Sequence, residues 1–210
     1  MMKNMSQNFE GIQNVIFDFG GVIIDIDYDA VRQAFEEIGM QDVRSFYQHD
    51  DHSKLVTDLE TGLISEDDFR ETIIQKIDRN LSHEKFDKAW NAIIKDVPAE
   101  RVQLLEELAK HFNLYLLSNT NIIHYRKYMR DFEKKHGKSL RDLFQKAYFS
   151  HEIKLRKPDK SIFTWVLEDA GIKAGKTMFI DDSETNIQAA EEVGLRTLYK
   201  PQHEELTDYF

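Results

Sequence analysis

The chain has 210 residues, 41 % hydrophobic and 31 % charged, a balance that suits a soluble globular fold and excludes a disordered or membrane-embedded one. A net charge of −10 and the lack of a basic patch argue against a nucleic-acid partner, whose phosphates the surface would repel. There is no cysteine, hence no disulfide or thiol chemistry; the polar stretch Met1 to Gln13 and the absence of any apolar run of about 18 residues predict a cytoplasmic protein with no membrane span.

Val15-Ile16-Phe17 is a short run of strand formers that ends in Asp18. With Phe19 and Gly20 it spells Asp-Phe-Gly, the magnesium-holding triplet of protein kinases. Here the triplet begins at residue 18, no glycine-rich loop precedes it and no His-Arg-Asp occurs, so a kinase is set aside. From Asp27 to Asp96 no convincing strand occurs. The pattern predicts helices over Asp29 to Ile38 with Gly39 as the stop, over Ser65 to Ile77 with Ser65 as N-cap and Asp68 at N3, and over Ser82 to Lys95. Asp25, Asp27, Asp29 and Glu36 match the first, third, fifth and twelfth positions of a calcium loop, but Ala30 stands where glycine is needed; a hinge followed by a capped helix is the better reading. His49-Asp50-Asp51-His52 reads as a polar loop, with His49 and His52 as candidate substrate contacts. Trp90 and Trp165 fall in helical patterns and are expected in the core.

A helix is expected from Pro98 to His111, with proline near its first turn. Leu114-Tyr115-Leu116-Leu117 is a second strand, ending in Ser118-Asn119. The basic residues from Tyr125 to Arg130, with Lys134 and Lys135, read as the solvated face of a helix. Asp159 to Ala170 is helical and stops at Gly171. Met178-Phe179-Ile180 is a strand ending in Asp181-Asp182, and Ser183 to Val193 is a helix stopping at Gly194. Thr197-Leu198-Tyr199 is a last strand. Continuous apolar runs alternating with helices predict a doubly wound, Rossmann-like α/β core with a parallel sheet, built from residues 1–26 and 97–210, with an inserted all-helical cap over 27–96.

In such sheets ligands bind at the carboxyl ends of the strands. Those ends carry Asp18, Ser118-Asn119 and Asp181-Asp182. Each alone is an ordinary helix cap. Together they assemble carboxylates suited to a hard cation, Mg²⁺ foremost, beside a hydroxyl and an amide that can hold anionic oxygens. A phosphate bridges the two, and a carboxylate attacking it would form an aspartyl-phosphate. Lys157, held extended before Pro158, is the candidate cation for the phosphate, with Lys154 and Arg156 as nearby rivals.

Phe17-Asp18-Phe19-Gly20-Gly21-Val22, Leu117-Ser118-Asn119-Thr120-Asn121, Arg156-Lys157-Pro158 and Phe179-Ile180-Asp181-Asp182-Ser183 together resemble the four motifs of the haloacid dehalogenase superfamily. The resemblance covers nearly the whole chain. It looks closest to small helical-cap (C1) members that act on phosphorylated sugars, such as glucose-1-phosphate phosphatase-like proteins. It implies Asp18 as nucleophile and metal ligand, the Gly20 carbonyl, Asp181 and Asp182 as further Mg²⁺ ligands, Ser118 and Lys157 as holders of the phosphoryl group, and Asn119 in support. Dehalogenases of the family lack the acidic pair and need no metal, so the pair favours a phosphatase of a small phosphorylated metabolite; a catalytically weak phosphate-binding regulator and a 2-haloacid dehalogenase are the alternatives. A monomer is favoured only weakly by the charged surface.

Most phosphatases of this family carry an aspartate two residues after the nucleophile that passes a proton to the leaving alcohol. Here that position is Gly20. Three explanations stand: an easier leaving group, as in a sugar 1-phosphate; a substitute acid such as Asp25, Asp27, His124 or a cap residue; or loss of catalysis.

Overall fold

The computed structural model describes residues 9–40 and 50–210, and for residues 50–52 the backbone alone. His49, one of the two candidate substrate histidines, and the side chain of His52, the other, lie outside what is described. Five strands, β1 (Asn14–Phe17), β2 (Asn113–Ser118), β3 (Lys146–Phe149), β4 (Thr177–Asp181) and β5 (Arg196–Tyr199), form one sheet. Its order is β3-β2-β1-β4-β5 and every pairing is parallel. This is the doubly wound α/β arrangement that the alternating apolar runs predict. The chain works outward from β1 through β2 to β3, then returns to the other side for β4 and β5. The winding therefore reverses between β1 and β4, where such sheets leave a crevice. Phe17 pairs with both Leu116 and Ile180, so Asp18 leaves the sheet level with Leu117 and Asp181. The Asp18 amide still donates to the Ile180 carbonyl at 2.9 Å.

Successive strand residues feed opposite faces. Val15, Phe17, Leu114, Leu116, Met178 and Ile180 pack in one apolar cluster, and Ile16, Tyr115, Leu117 and Phe179 in another. Both faces are covered, which is why the central strands read as unbroken apolar runs. Strand β3 escaped the sequence analysis. It has four residues, begins with the exposed Lys146 and lies at the sheet edge, where a short, charged strand is the usual protection against further pairing.

Between β1 and β2 lie α1 (Tyr28–Glu37), α2 (Asp50–Glu60), α3 (Glu66–Ile77), α4 (His83–Trp90) and α5 (Ala99–Leu108). The first four share a third apolar cluster around Phe35, Phe69, Phe86 and Trp90. Edge-on rings, Phe69 to Trp90 at 4.8 Å among them, suit the aromatic quadrupole. Asp27, Ser65 and Ser82 cap α1, α3 and α4, each accepting from a backbone amide three residues on. Asp27 is thus a cap, as the hinge reading expected. Helix α4 is shorter than the expected 82–95; it tightens into a 3₁₀ turn at Asn91–Ile93. Pro98 is the N-cap of α5 rather than a first-turn residue. The expected polar loop at 49–52 needs correction, because Asp50, Asp51 and His52 belong to the first turn of α2.

The remaining helices are α6 (Ile122–His136), α7 (Ser150–Ile153), α8 (Lys160–Ala170) and α9 (Glu184–Glu192). Trp90 is buried, as expected, but Trp165 is 37 % exposed. It lies on α8 and covers the ring of Tyr148 edge-on at 5.8 Å, so it shields the sheet edge instead of filling the core. Among the described residues no helix is long and apolar enough to cross a membrane.

Candidate active site

The turn after β1 places the first carboxylate. Ile23 and Ile24 donate to the Phe19 carbonyl, and Gly21 donates to that of Ile24. The Gly20 carbonyl is left out of these bonds and is available as an oxygen ligand. Gly21 has φ +74°, and a Cβ there would collide with the Asp182 carboxylate. The buried Lys200 donates to the Gly21 carbonyl at 2.8 Å and fixes the turn from the far side.

Asp18, Asp181 and Asp182 come together as predicted: oxygens of the three lie within 4.8 Å of one another. Lys157 is fully buried with Nζ 2.7 Å from Asp18 Oδ1 and 2.6 Å from Asp181 Oδ2. The second carboxylate is anchored further by the Ser183 amide and by Asn186 Nδ2. Asp182 is less committed, accepting from Gln202 Nε2 at 2.7 Å. Burial pushes the Asp18 carboxyl up to about 7; Lys157 pulls it down, and the charges of Asp181 and Asp182 raise it again. Asp182 is raised by burial and by Asp181. Burial alone would depress the Lys157 ammonium, but Asp18 and Asp181 outweigh it and hold its pKa up. Three crowded carboxylates face one ammonium. The donor set is all hard oxygen, and a dication would offset the carboxylate repulsion that adds to burial in keeping Asp18 hard to ionise, so Mg²⁺ fits these residues.

The end of β2 supplies the rest. Ser118 is buried, and its hydroxyl makes only a 3.5 Å contact with the Asn119 carbonyl, so it can turn toward a guest. Asn119 grips the Lys157 backbone at two points: its Nδ2 donates to the Lys157 carbonyl at 2.8 Å and its Oδ1 accepts from the Lys157 amide at 2.9 Å. That clamp explains why Lys157, rather than Lys154 or Arg156, enters the site. Ser150, at the end of the unforeseen β3, holds Thr120 by accepting from its amide and donating to its carbonyl, both at 2.9 Å. Nothing in the sequence marked Ser150, Lys200 or Gln202, because each acts across a long stretch of chain.

A cavity of about 260 Å³ opens beside Gly20, Ser118 and Asn119, roofed by Tyr28, Val56, Glu60 and Trp90. The candidate acids are distributed unevenly around it. Asp25 and Asp27 line a separate groove, one paired with Arg101 at 2.7 Å and the other with Lys95 at 2.9 Å. His124 does line the cavity, but Asn121 and the Trp90 carbonyl engage its two ring nitrogens at 3.0 Å each. Burial depresses its pKa to about 4, so it is a neutral ring at ordinary pH. Glu60, unmarked by the sequence because α2 itself was unforeseen, is the one carboxylate facing this cavity among the described residues.

Comparison with known proteins agrees with this geometry. The sequence profile of the haloacid dehalogenase-like hydrolases matches residues 12–194. D-ribitol-5-phosphate phosphatase of Bacteroides thetaiotaomicron is 32 % identical over 192 residues, covering 91 % of this chain and 93 % of that protein. A phosphorylated carbohydrates phosphatase of Thermotoga maritima is 24 % identical over 202 residues, covering 91 % and 86 %. The crystal structure of HAD family enzyme bt-2542 from Bacteroides thetaiotaomicron, in complex with magnesium and inorganic phosphate, superposes with a TM-score of 0.89 at 36 % identity, covering 95 % of this chain and 99 % of that one.

Proposed function

The chain belongs to the haloacid dehalogenase-like hydrolases and is a phosphatase with magnesium as its cofactor, and from that premise we propose that it removes phosphate from a small phosphorylated sugar or sugar alcohol through an aspartyl-phosphate on Asp18. The observation that carries the proposal is the meeting of Asp18, Lys157, Asp181 and Asp182 at the switch point of the sheet. Asp18 attacks phosphorus. Lys157 and the Ser118 hydroxyl hold the phosphoryl oxygens while charge moves onto them. Asn119 keeps Lys157 in place through its backbone. Mg²⁺, on Asp18, Asp182, Asp181 and the Gly20 carbonyl, would supply Lewis-acid stabilisation of that charge.

Helices α1 to α4 form the cap in this reading and close over the ester's carbon part. The similarity to a D-ribitol-5-phosphate phosphatase supports a sugar-alcohol phosphate. Gly20 supports the second reading, a sugar 1-phosphate, whose hemiacetal oxygen leaves with less help.

A panel of phosphorylated metabolites that includes ribitol 5-phosphate and hexose 1-phosphates tests the proposal, assayed with Mg²⁺, with EDTA and with Asp18→Asn. We expect phosphate release that EDTA abolishes and that Asp18→Asn lowers to background. No Asp18-dependent release from any phosphorylated carbohydrate overturns the reading.

A further inference from the structure

We propose that Glu60, at the end of α2, is the general acid and base that Gly20 cannot be. The inference rests on the phosphatase reading above and goes beyond it by naming the proton carrier.

Glu60 and Gly20 line the same cavity, Glu60 from the helical side and Gly20 from the strand end. The space beside Gly20 is open: a Cβ there would meet only Ile26, at 3.7 Å. An ester held by Ser118, which lines the same cavity, can turn its leaving oxygen into that space.

Several of the other polar groups that reach this space are already committed. Asn119 is locked to the Lys157 backbone. Asn121 caps α6 and holds His124, and His124 is occupied at both nitrogens. Burial raises the Tyr128 hydroxyl well above its ordinary range, so it keeps its proton.

Among the described side chains that line this cavity, Glu60 is the one carboxylate. Arg156 Nη2 lies 2.9 Å from Glu60 Oε2 and pairs with it, which still leaves the carboxylate able to bond a further partner. An enclosed carboxyl with lone-pair sites to spare bonds whatever polar atom comes within reach. A leaving-group oxygen or a water is such an atom.

The surroundings set its proton affinity. Burial raises the Glu60 carboxyl, while Arg156 and then Lys157 pull it down, and the net shift is upward. Tyr28 at the start of α1 also senses the Glu60 charge. The His151 backbone on α7 abuts Gly62, two residues on, and burial lowers the pKa of its imidazole. A raised carboxyl keeps its proton to a higher pH than an ordinary glutamate does, the direction an acid needs.

The chemistry balances without another reagent. As the Asp18 oxygen bonds to phosphorus and the ester P–O bond breaks, the ester oxygen takes the Glu60 proton and departs as neutral alcohol. Glu60 is left ionised. Water then attacks the phosphorylated Asp18, its proton passes to Glu60, the Asp18–phosphorus bond breaks and orthophosphate leaves, with both carboxyls restored.

The test uses Glu60→Gln with two esters: the alkyl phosphate that the wild-type protein turns over fastest, and p-nitrophenyl phosphate, whose phenolate leaves without a proton. We expect turnover of the alkyl ester to fall by about 10²-fold or more with little change in KM. With p-nitrophenyl phosphate we expect a burst of about one phenolate per enzyme at the wild-type rate, then slow turnover, because only the second half-reaction still needs the base. The burst also shows that the variant is folded. Adding Gly20→Asp to Glu60→Gln should restore alkyl-ester turnover. Unchanged kcat in Glu60→Gln, a loss confined to KM, or equal slowing of the burst for both esters would overturn the assignment. Absence of Asp18-dependent release from either ester by the wild-type protein is a different result, and overturns the phosphatase reading beneath it.

Discussion

Two adjacent glycines do opposite things. Gly20 has an unstrained backbone and room for a side chain, so its lack of one is a chemical feature: the strand end offers a carbonyl and no proton. Gly21 is steric, since its φ of +74° and the Asp182 carboxylate both exclude a side chain. Gly21→Ala should therefore destabilise the fold by about 1–3 kcal/mol and weaken Mg²⁺ activation by displacing Asp182. Urea denaturation and a Mg²⁺ titration of activity check this; wild-type values in both would remove the steric argument. At the same scale Lys157 shows why a sequence position can be named before its role is provable. A lysine before a proline is common on surfaces, and only the Asn119 clamp and two carboxylates make this one buried and charged.

The elements that carry the site are β1, β2 and β4, but the one that steadies it is β3. Its last residue leads directly into Ser150, whose hydroxyl satisfies both backbone groups of Thr120 and so holds the Ser118-Asn119 turn against the neighbouring strand. Ser150→Ala leaves a buried amide and carbonyl without partners, a loss of about 1–3 kcal/mol. It should also raise KM for the phosphate ester, because the phosphate-holding turn loosens. A variant equal to wild type in thermal unfolding and in KM would show that the turn holds itself. Helix α2 matters for a parallel reason, since it delivers Glu60 over the cavity while Leu55, Val56 and Leu59 anchor it in the aromatic cluster.

On the scale of the molecule, the helical segment is bound to the sheet by ion pairs at its margins. Glu60 meets Arg156, and Glu66 meets Arg126 at 2.5 Å. A pair whose arginine is exposed, such as Glu66 with Arg126, contributes little, about 0–1 kcal/mol, so it steers how the two parts meet more than it stabilises the whole. The acidic cluster has a larger effect. Crowded carboxylates oppose folding until a cation arrives, so Mg²⁺ should raise the melting temperature, and a concentration near 100 times Kd should add about 2.7 kcal/mol. EDTA should reverse the gain and Asp182→Asn should diminish it. Melting curves that ignore Mg²⁺ would argue that these carboxylates do not bind it.

Much of the core and its site was legible in the sequence because a parallel sheet imposes local signals. Strands buried on both faces must be apolar throughout, so Val15 to Phe17, Leu114 to Leu117 and Met178 to Ile180 announced themselves, and the polar residue after each marked the ligand-binding edge. Where such signals weaken, the sequence was silent: β3 is short, edge-bound and begins with lysine, and Trp165 has a helical spacing that says nothing about which neighbour it covers. What the sequence offered by itself is a set of candidate groups: Asp18, Ser118, Asn119, Asp181 and Asp182 at strand ends, and Lys157 before a proline with Lys154 and Arg156 as its rivals. Only the tertiary structure decided which outside groups serve them. Ser150, Lys200, Gln202 and Glu60 reach the site from distant segments, and which distant segments touch is a property of packing, which periodicity along the chain does not encode.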